Sequence, residues 1–135
     1  MAWRNRIKLK AARMSDLLTL IDLTAEYRGT EGVTLEWEKA YSSLFEMIAN
    51  PQQWRIWLLQ SGKTPAGFLV VQVIQKPDAQ MPHAIIDEFF VLPQFRSPEV
   101  LAKVTDFTIK SCRALGICAL HQRFGRQWYV MTTWL

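Results

Sequence analysis

The sequence has no apolar run approaching the roughly 20 residues that a membrane-spanning helix needs. Its first ten residues interleave Trp3, Arg4, Arg6, Lys8 and Lys10 with apolar side chains, without the unbroken apolar core or small-residue cleavage site of a secretory signal. Both absences predict a cytoplasmic protein with no membrane partner. Cysteine is scarce. Cys112 and Cys118 lie outside any CxxC or Cys/His spacing, so neither a disulfide framework nor a metal site is expected, and both read as reduced interior thiols. His83 and His121 fall near the same ends of two predicted strands, with no carboxylate or thiol patterned beside them, which leaves no metal set. There is no Gly-x-Ser-x-Gly for a serine nucleophile. Gly62-Lys63-Thr64 matches the end of a phosphate-binding loop, but that loop needs a glycine where Trp57 stands, and the segment joins two strands. It reads as a hairpin turn. Large charge clusters are also missing. The net charge is +4, and the basic residues are dispersed apart from the Arg4–Lys10 group and the Arg123/Arg126 pair. With no reader motif beside it, that charge reads as a solvated surface and not as a nucleic-acid site.

What is present is core material. Half of the 135 residues are hydrophobic and 21% are charged, which predicts a single globular domain over residues 1–135. Arg6 to Ala12 alternates as a first strand. Ser15 is the expected cap of a helix that carries Leu17, Leu20, Ile21, Thr24 and Tyr27 at helical spacing and stops at Arg28-Gly29, with Gly29 in a positive φ. A second helix is expected from Thr34 to Asn50-Pro51, with Trp37, Tyr41, Leu44 and Ile48 as its apolar stripe. Trp54–Gln60 and Ala66–Gln75 form a hairpin around residues 61–65. Lys76–Pro82 is a loop and His83–Leu92 a further strand. Ser97 caps a helix with Pro98 at its first position. That helix buries Val100, Leu101, Val104, Phe107, Thr108, Ser111, Cys112 and Leu115, pairs Asp106 with Lys110, and ends at Gly116. Ile117–Gln122 resumes as a strand, parallel to His83–Leu92 because a helix crosses between them. The fold class is α/β (α+β), a mixed sheet in the order β-α-α-β-β-β-α-β with a short C-terminal element, helix or strand.

The segment Ile86-Asp87-Glu88-Phe89-Phe90-Val91-Leu92-Pro93-Gln94-Phe95-Arg96 is a strand that runs into Val-x-Pro, an aromatic residue and an arginine before a capped helix. It resembles the GNAT superfamily of N-acetyltransferases. So does the hairpin Leu58–Phe68, where Gly67 opens the third strand beside an apolar neighbour, and so does Asp16 at the opening of the first helix. The resemblance covers about residues 6 to 122. It implies that the fourth strand splays from the fifth, that acetyl-CoA lies in the gap, and that the main chain of Phe89, Phe90 and Val91 pairs with the pantetheine arm. It also implies that the diphosphate sits on the turn and helix start, at Arg96, Ser97, Glu99, Val100, Leu101 and Ala102, where a helix N-terminus favours anions.

The sequence departs from the family's Arg-Gly-x-Gly-x-Gly/Ala at this turn. Glu99 and Leu101 replace the key glycines, Pro98 lacks an N–H, and Glu99 adds a negative charge. Together these changes argue against tight CoA binding.

The resemblance assigns Glu88 as the base that takes a proton from an amine, and Tyr129 as the acid that protonates the leaving thiolate. Tyr27, Trp37 and Tyr41 would help build the acceptor groove, which takes a small-molecule or protein amine. The alternative implied by the lost glycines is a GNAT-like interaction or structural module that no longer catalyses. Only residues 123–135 follow the fifth strand, where the family has a helix and two more strands. An edge left open there would be covered by a partner or a second copy through Trp128 and Trp134, giving a homo-oligomer.

Overall fold

The computed structural model describes residues 6–75, 81–124 and 129–135, with backbone alone for 123, 124 and 129–131. Six strands form one sheet in the order β1 (Ile7–Ala11), β2 (Trp54–Ser61), β3 (Thr64–Ile74), β4 (His83–Val91), β5 (Ala119–Phe124) and β6 (Tyr129–Trp134). Neighbours are antiparallel except β4 and β5, which are parallel. The crossover between those two carries α3 (Pro98–Ala114). The other two helices, α1 (Leu17–Thr30) and α2 (Trp37–Ala49), lie between β1 and β2 in the chain. The expected order is therefore present, and the C-terminal element is a strand.

Alternation along β2 and β3 divides the core between the two faces of the sheet. Ile56, Leu58, Phe68 and Val70 turn to one face and bury against Leu17, Leu20, Ile21 and Leu23 of α1 and Leu44 of α2. Trp57, Leu59, Leu69 and Val71 turn to the other and bury against Val100, Val104 and Cys112 of α3. The buried residues of β2 and β3 are apolar on both faces, as a sheet covered by helices on both sides requires.

Several boundaries differ from those the sequence predicts. The first helix is entered through a turn of 3-10 helix at Met14–Asp16, and Ser15 does not cap it. The Asp16 carboxylate accepts instead from the Arg13 N–H at 2.9 Å and from Lys10 Nζ at 3.0 Å. The helix runs through Gly29 to Thr30, and the positive φ falls on Gly32, at 71°. The second helix starts at Trp37 and not at Thr34, after extended Glu36. Its predicted stripe is rotated. Leu44 is buried, whereas Trp37 and Tyr41 are exposed and stack with Phe45 along the outer face. In α3, Ser97 Oγ accepts from the Val100 N–H at 3.1 Å, Pro98 follows it, Asp106 meets Lys110 at 2.9 Å, and Gly116 closes the helix at φ 76°. Leu101 and Leu115 are exposed, against the expectation that they face inward. The fifth strand begins at Ala119 instead of Ile117.

Candidate active site

The site is made by two irregularities in β4. The first is a bulge. Val71 pairs with Ile86 and Val70 with Glu88, so Asp87 is an extra residue without a partner on β3. A bulge reverses the facing of every residue after it. Ala84 and Ile86 pack on the α3 face. In an unbroken strand Glu88 and Phe90 would do the same. After the bulge they turn to the opposite face, where Phe90 joins the α1/α2 core.

The second is a splay. β5 pairs with β4 only from His83 to Ile86, and no residue of β5 pairs with Asp87 to Val91. Main-chain groups of successive strand residues point to alternate neighbours. The Phe90 carbonyl lies against Gly67, and the Leu92 N–H donates to the Ala66 carbonyl at 2.8 Å, so both face β3. Phe89 and Val91 face the gap. The Val91 carbonyl accepts from Arg96 Nε at 2.8 Å, and the same guanidinium lies over the Phe90 ring at 5.6 Å.

Two cavities meet at this strand. One, of about 640 Å³, is the continuation of the gap, lined by Phe89, Phe90 and Val91, by Arg96 to Pro98, by Val100 and Leu101, and by Tyr27 and Thr30 of α1. The other, of about 360 Å³, lies between α1 and α2 and holds Glu88 beside Arg28, with Glu36 and Lys39 at its rim. The last turns of α1 form the wall between them. Tyr27 packs edge-on to Phe90 at 5.2 Å and carries the Arg28 guanidinium over its ring at 5.2 Å.

Arg28 Nη2 donates to Glu88 Oε1 at 2.6 Å, and Nη1 approaches Glu31 Oε2 at 3.5 Å. Burial pushes the Glu88 carboxyl above its ordinary value, and the Arg28 cation only partly opposes this. A half-buried carboxylate with a raised proton affinity, at the wall of a cavity, is suited to take a proton. Burial and a hydrogen bond with Glu31 raise the Tyr27 hydroxyl too. Arg28 is missed by sequence reasoning, which takes it as a helix stop. The signal was its spacing. Leu20, Thr24 and Arg28 recur every fourth residue, and Leu20 and Thr24 are buried, so Arg28 ends a buried stripe and needs a counter-ion.

No protein-family model matches the sequence, and no curated protein matches it. Solved structures do. An integron cassette protein from the mobile metagenome of Cole Harbour Salt Marsh superimposes with a TM-score of 0.82 at 24% identity, over 91% of this chain and 80% of that one. A GNAT family acetyltransferase of Staphylococcus aureus gives 0.77 at 16% identity, over 95% and 94%. A predicted acetyltransferase of Clostridium acetobutylicum, solved with acetyl-CoA, gives 0.73 at 12% identity, over 89% and 82%. The chain has the GNAT fold.

Within this GNAT fold, Phe89, Phe90, Val91, Arg96, Ser97, Val100 and Leu101 line the larger cavity, while Glu99 and Ala102 stand on α3 outside its lining. Tyr27 lines it as well, but Trp37 and Tyr41 line neither cavity. Only the backbone of Tyr129 is described, paired with Phe124 at the C-terminal end of β5, and Trp128 lies outside the described residues. Trp134 is 73% exposed on β6. His83 and His121 do come together, Nδ1 to Nε2 at 2.9 Å, with His121 reaching Thr132 at 2.9 Å. Among the described residues no cluster of metal-ligating side chains is present, and no helix is long and apolar enough to cross a membrane.

The residues around the gap fit one part of acetyl-CoA and not another. The main-chain edge of Phe89 and Val91 suits the amides of a pantetheine arm, which needs strand-like partners. The start of α3 does not suit a diphosphate. Pro98 has no N–H, the Val100 N–H is held by Ser97 Oγ, the Leu101 N–H is held by the Ser97 carbonyl at 3.1 Å, and Glu99 brings a carboxylate.

Proposed function

We propose that this chain is an acyltransferase of the acetyl-CoA-dependent N-acetyltransferase type, which moves acetyl from a pantetheine thioester to an amine. The observation that carries the reading is the gap between β4 and β5 opening beside a cavity that holds Glu88. The larger cavity is the donor site and the smaller the acceptor site. The thioester supplies an activated acyl carbon. The chain supplies position and proton transfer.

Glu88 takes the proton of the attacking amine, directly or through water, as the nitrogen–carbon bond forms and the carbon–sulfur bond breaks. Tyr129 returns a proton to the departing sulfur. Its register opposite Phe124, at the end of β5 beyond the pairing with β4, supports that assignment. Phe89 and Val91 orient the donor through main-chain hydrogen bonds. Arg28 is a positioning residue, fixing the Glu88 carboxylate at 2.6 Å. An acceptor cavity of about 360 Å³ admits a small amine or one lysine side chain.

Thiol release from acetyl thioesters, measured across a panel of amines, tests the reading. Glu88→Gln should lower kcat/KM by about 10²–10⁴-fold and remove the acid limb of the pH profile. That limb should lie above 4.5, the ordinary carboxyl value from which Glu88 is raised. A variant within threefold of wild type, with the limb intact, would contradict the role of Glu88.

The altered start of α3 and the exposure of Trp134 favour a second reading, an interaction module that no longer catalyses and that assembles through its C-terminal strand. It predicts no change in Tm with millimolar acetyl thioester, and an oligomer that Trp134→Ala dissociates in gel filtration.

A further inference from the structure

We infer that the donor is held by its acylated pantetheine arm, with at most one phosphate engaged, and that the diphosphate and nucleotide of CoA add little to binding. The inference rests on the acyl-transfer reading above. The cavity in the β4/β5 gap is walled by Phe89, Phe90, Val91, Val100 and Leu101, a surface for a slender chain with two amides. At the start of α3, where two phosphates would need several converging donors, two of the first three helical positions, Pro98 and Val100, offer none. Ser97 satisfies the Val100 N–H with its side chain and the Leu101 N–H with its carbonyl. Pro98 contributes none. Glu99 opposes a second negative charge in the same turn. Among the described residues that line the cavity the one cation is Arg96, whose Nε donates to the Val91 carbonyl at 2.8 Å. Its two terminal nitrogens remain on the fork, enough to pair with one phosphate group.

The chemical class is thus a thioester of pantetheine or 4′-phosphopantetheine. The arm can come free in solution or attached to a carrier protein, since everything past the first phosphate lies outside the grip.

Isothermal titration of the full chain with S-acetylpantetheine, S-acetyl-4′-phosphopantetheine and acetyl-CoA measures this without catalysis. Kd for acetyl-CoA and acetyl-4′-phosphopantetheine should agree within about threefold. Acetylpantetheine should be weaker by no more than about tenfold, the worth of one charge-assisted contact. Removing the opposing charge with Glu99→Gln should strengthen acetyl-CoA more than acetylpantetheine. Acetyl-CoA bound a hundredfold or more tightly than both truncated donors would overturn the inference while leaving acyl transfer standing. No binding of any donor at millimolar concentration would overturn acyl transfer, and the inference with it. A purified acyl-carrier protein bearing the acetylated arm separates the two sources. Tenfold higher kcat/KM than for the free arm assigns the carrier-borne donor, and parity assigns the free one.

Discussion

Two opposing influences on Glu88 can be ranked. Loss of water around the carboxylate is the largest, and the Arg28 guanidinium at 2.6 Å recovers only part of that cost. The folded chain therefore binds the Glu88 proton more tightly than the unfolded chain does. By linkage, stability is present at low pH and is lost as pH rises from 4.5 through the raised folded value. Glu88→Gln removes that dependence. The Tm of wild type relative to Glu88→Gln should be higher at pH 4 than at pH 7, and the reverse order in a calorimetric comparison would contradict the burial account. The two thiols make a second contrast at this scale. Burial raises the Cys112 thiol to about 11, and its surface is 0% exposed. It is protonated and inaccessible at neutral pH, whereas Cys118 is only half-buried. A maleimide should label Cys118 in the native protein and Cys112 only under denaturant. Equal labelling of both in mass spectra would contradict the packing of α3.

Among the elements, β4 decides the site, and it was partly legible from its sequence. The run from Ile86 to Pro98 is sufficient to place a strand, a turn and a helix in order, because the Pro93 turn, the Ser97 cap and Pro98 act within a few residues of themselves. The bulge at Asp87 is not legible that way. It arises from pairing with β3, and one residue more or less changes no local propensity. Gly67 is the part of β3 whose reason becomes visible in three dimensions. A Cβ there would overlap the Phe90 carbonyl oxygen and touch the Val91 Cα at 3.0 Å, both backbone and unable to turn aside. Gly67→Ala should destabilise by about 1–3 kcal/mol in urea unfolding and weaken any donor binding, since it pushes on the end of β4 that lines the gap. Unchanged stability would mean that β4 is looser than this packing allows. The α2 stripe fails for a related reason. Periodicity groups Trp37, Tyr41, Leu44 and Ile48 in one stripe, but helical spacing alone does not say which face meets the sheet. Here the smaller stripe through Leu44 does, and the aromatic ladder is left outside.

For the whole molecule, the order of elements follows from hydrophobic periodicity and turn chemistry, and the parallel pairing of β4 with β5 follows from the helix between them. What periodicity does not reach is the side-chain contacts at the site: Arg28 with Glu88, and Arg96 folded back on Val91. Each joins residues whose individual environments give no sign of the partner. These contacts turn a common scaffold into a specific site, and sites vary on one fold. All of these roles depend on the unpaired edge of β4 being a binding edge. The most direct test is an amide NMR titration of the full chain with S-acetylpantetheine. The Phe89 and Val91 N–H resonances should shift with saturation, while Phe90, bonded toward β3, moves less. Saturable shifts confined to other surfaces, such as the Trp37–Phe45 face, with Phe89 and Val91 unmoved, would contradict it.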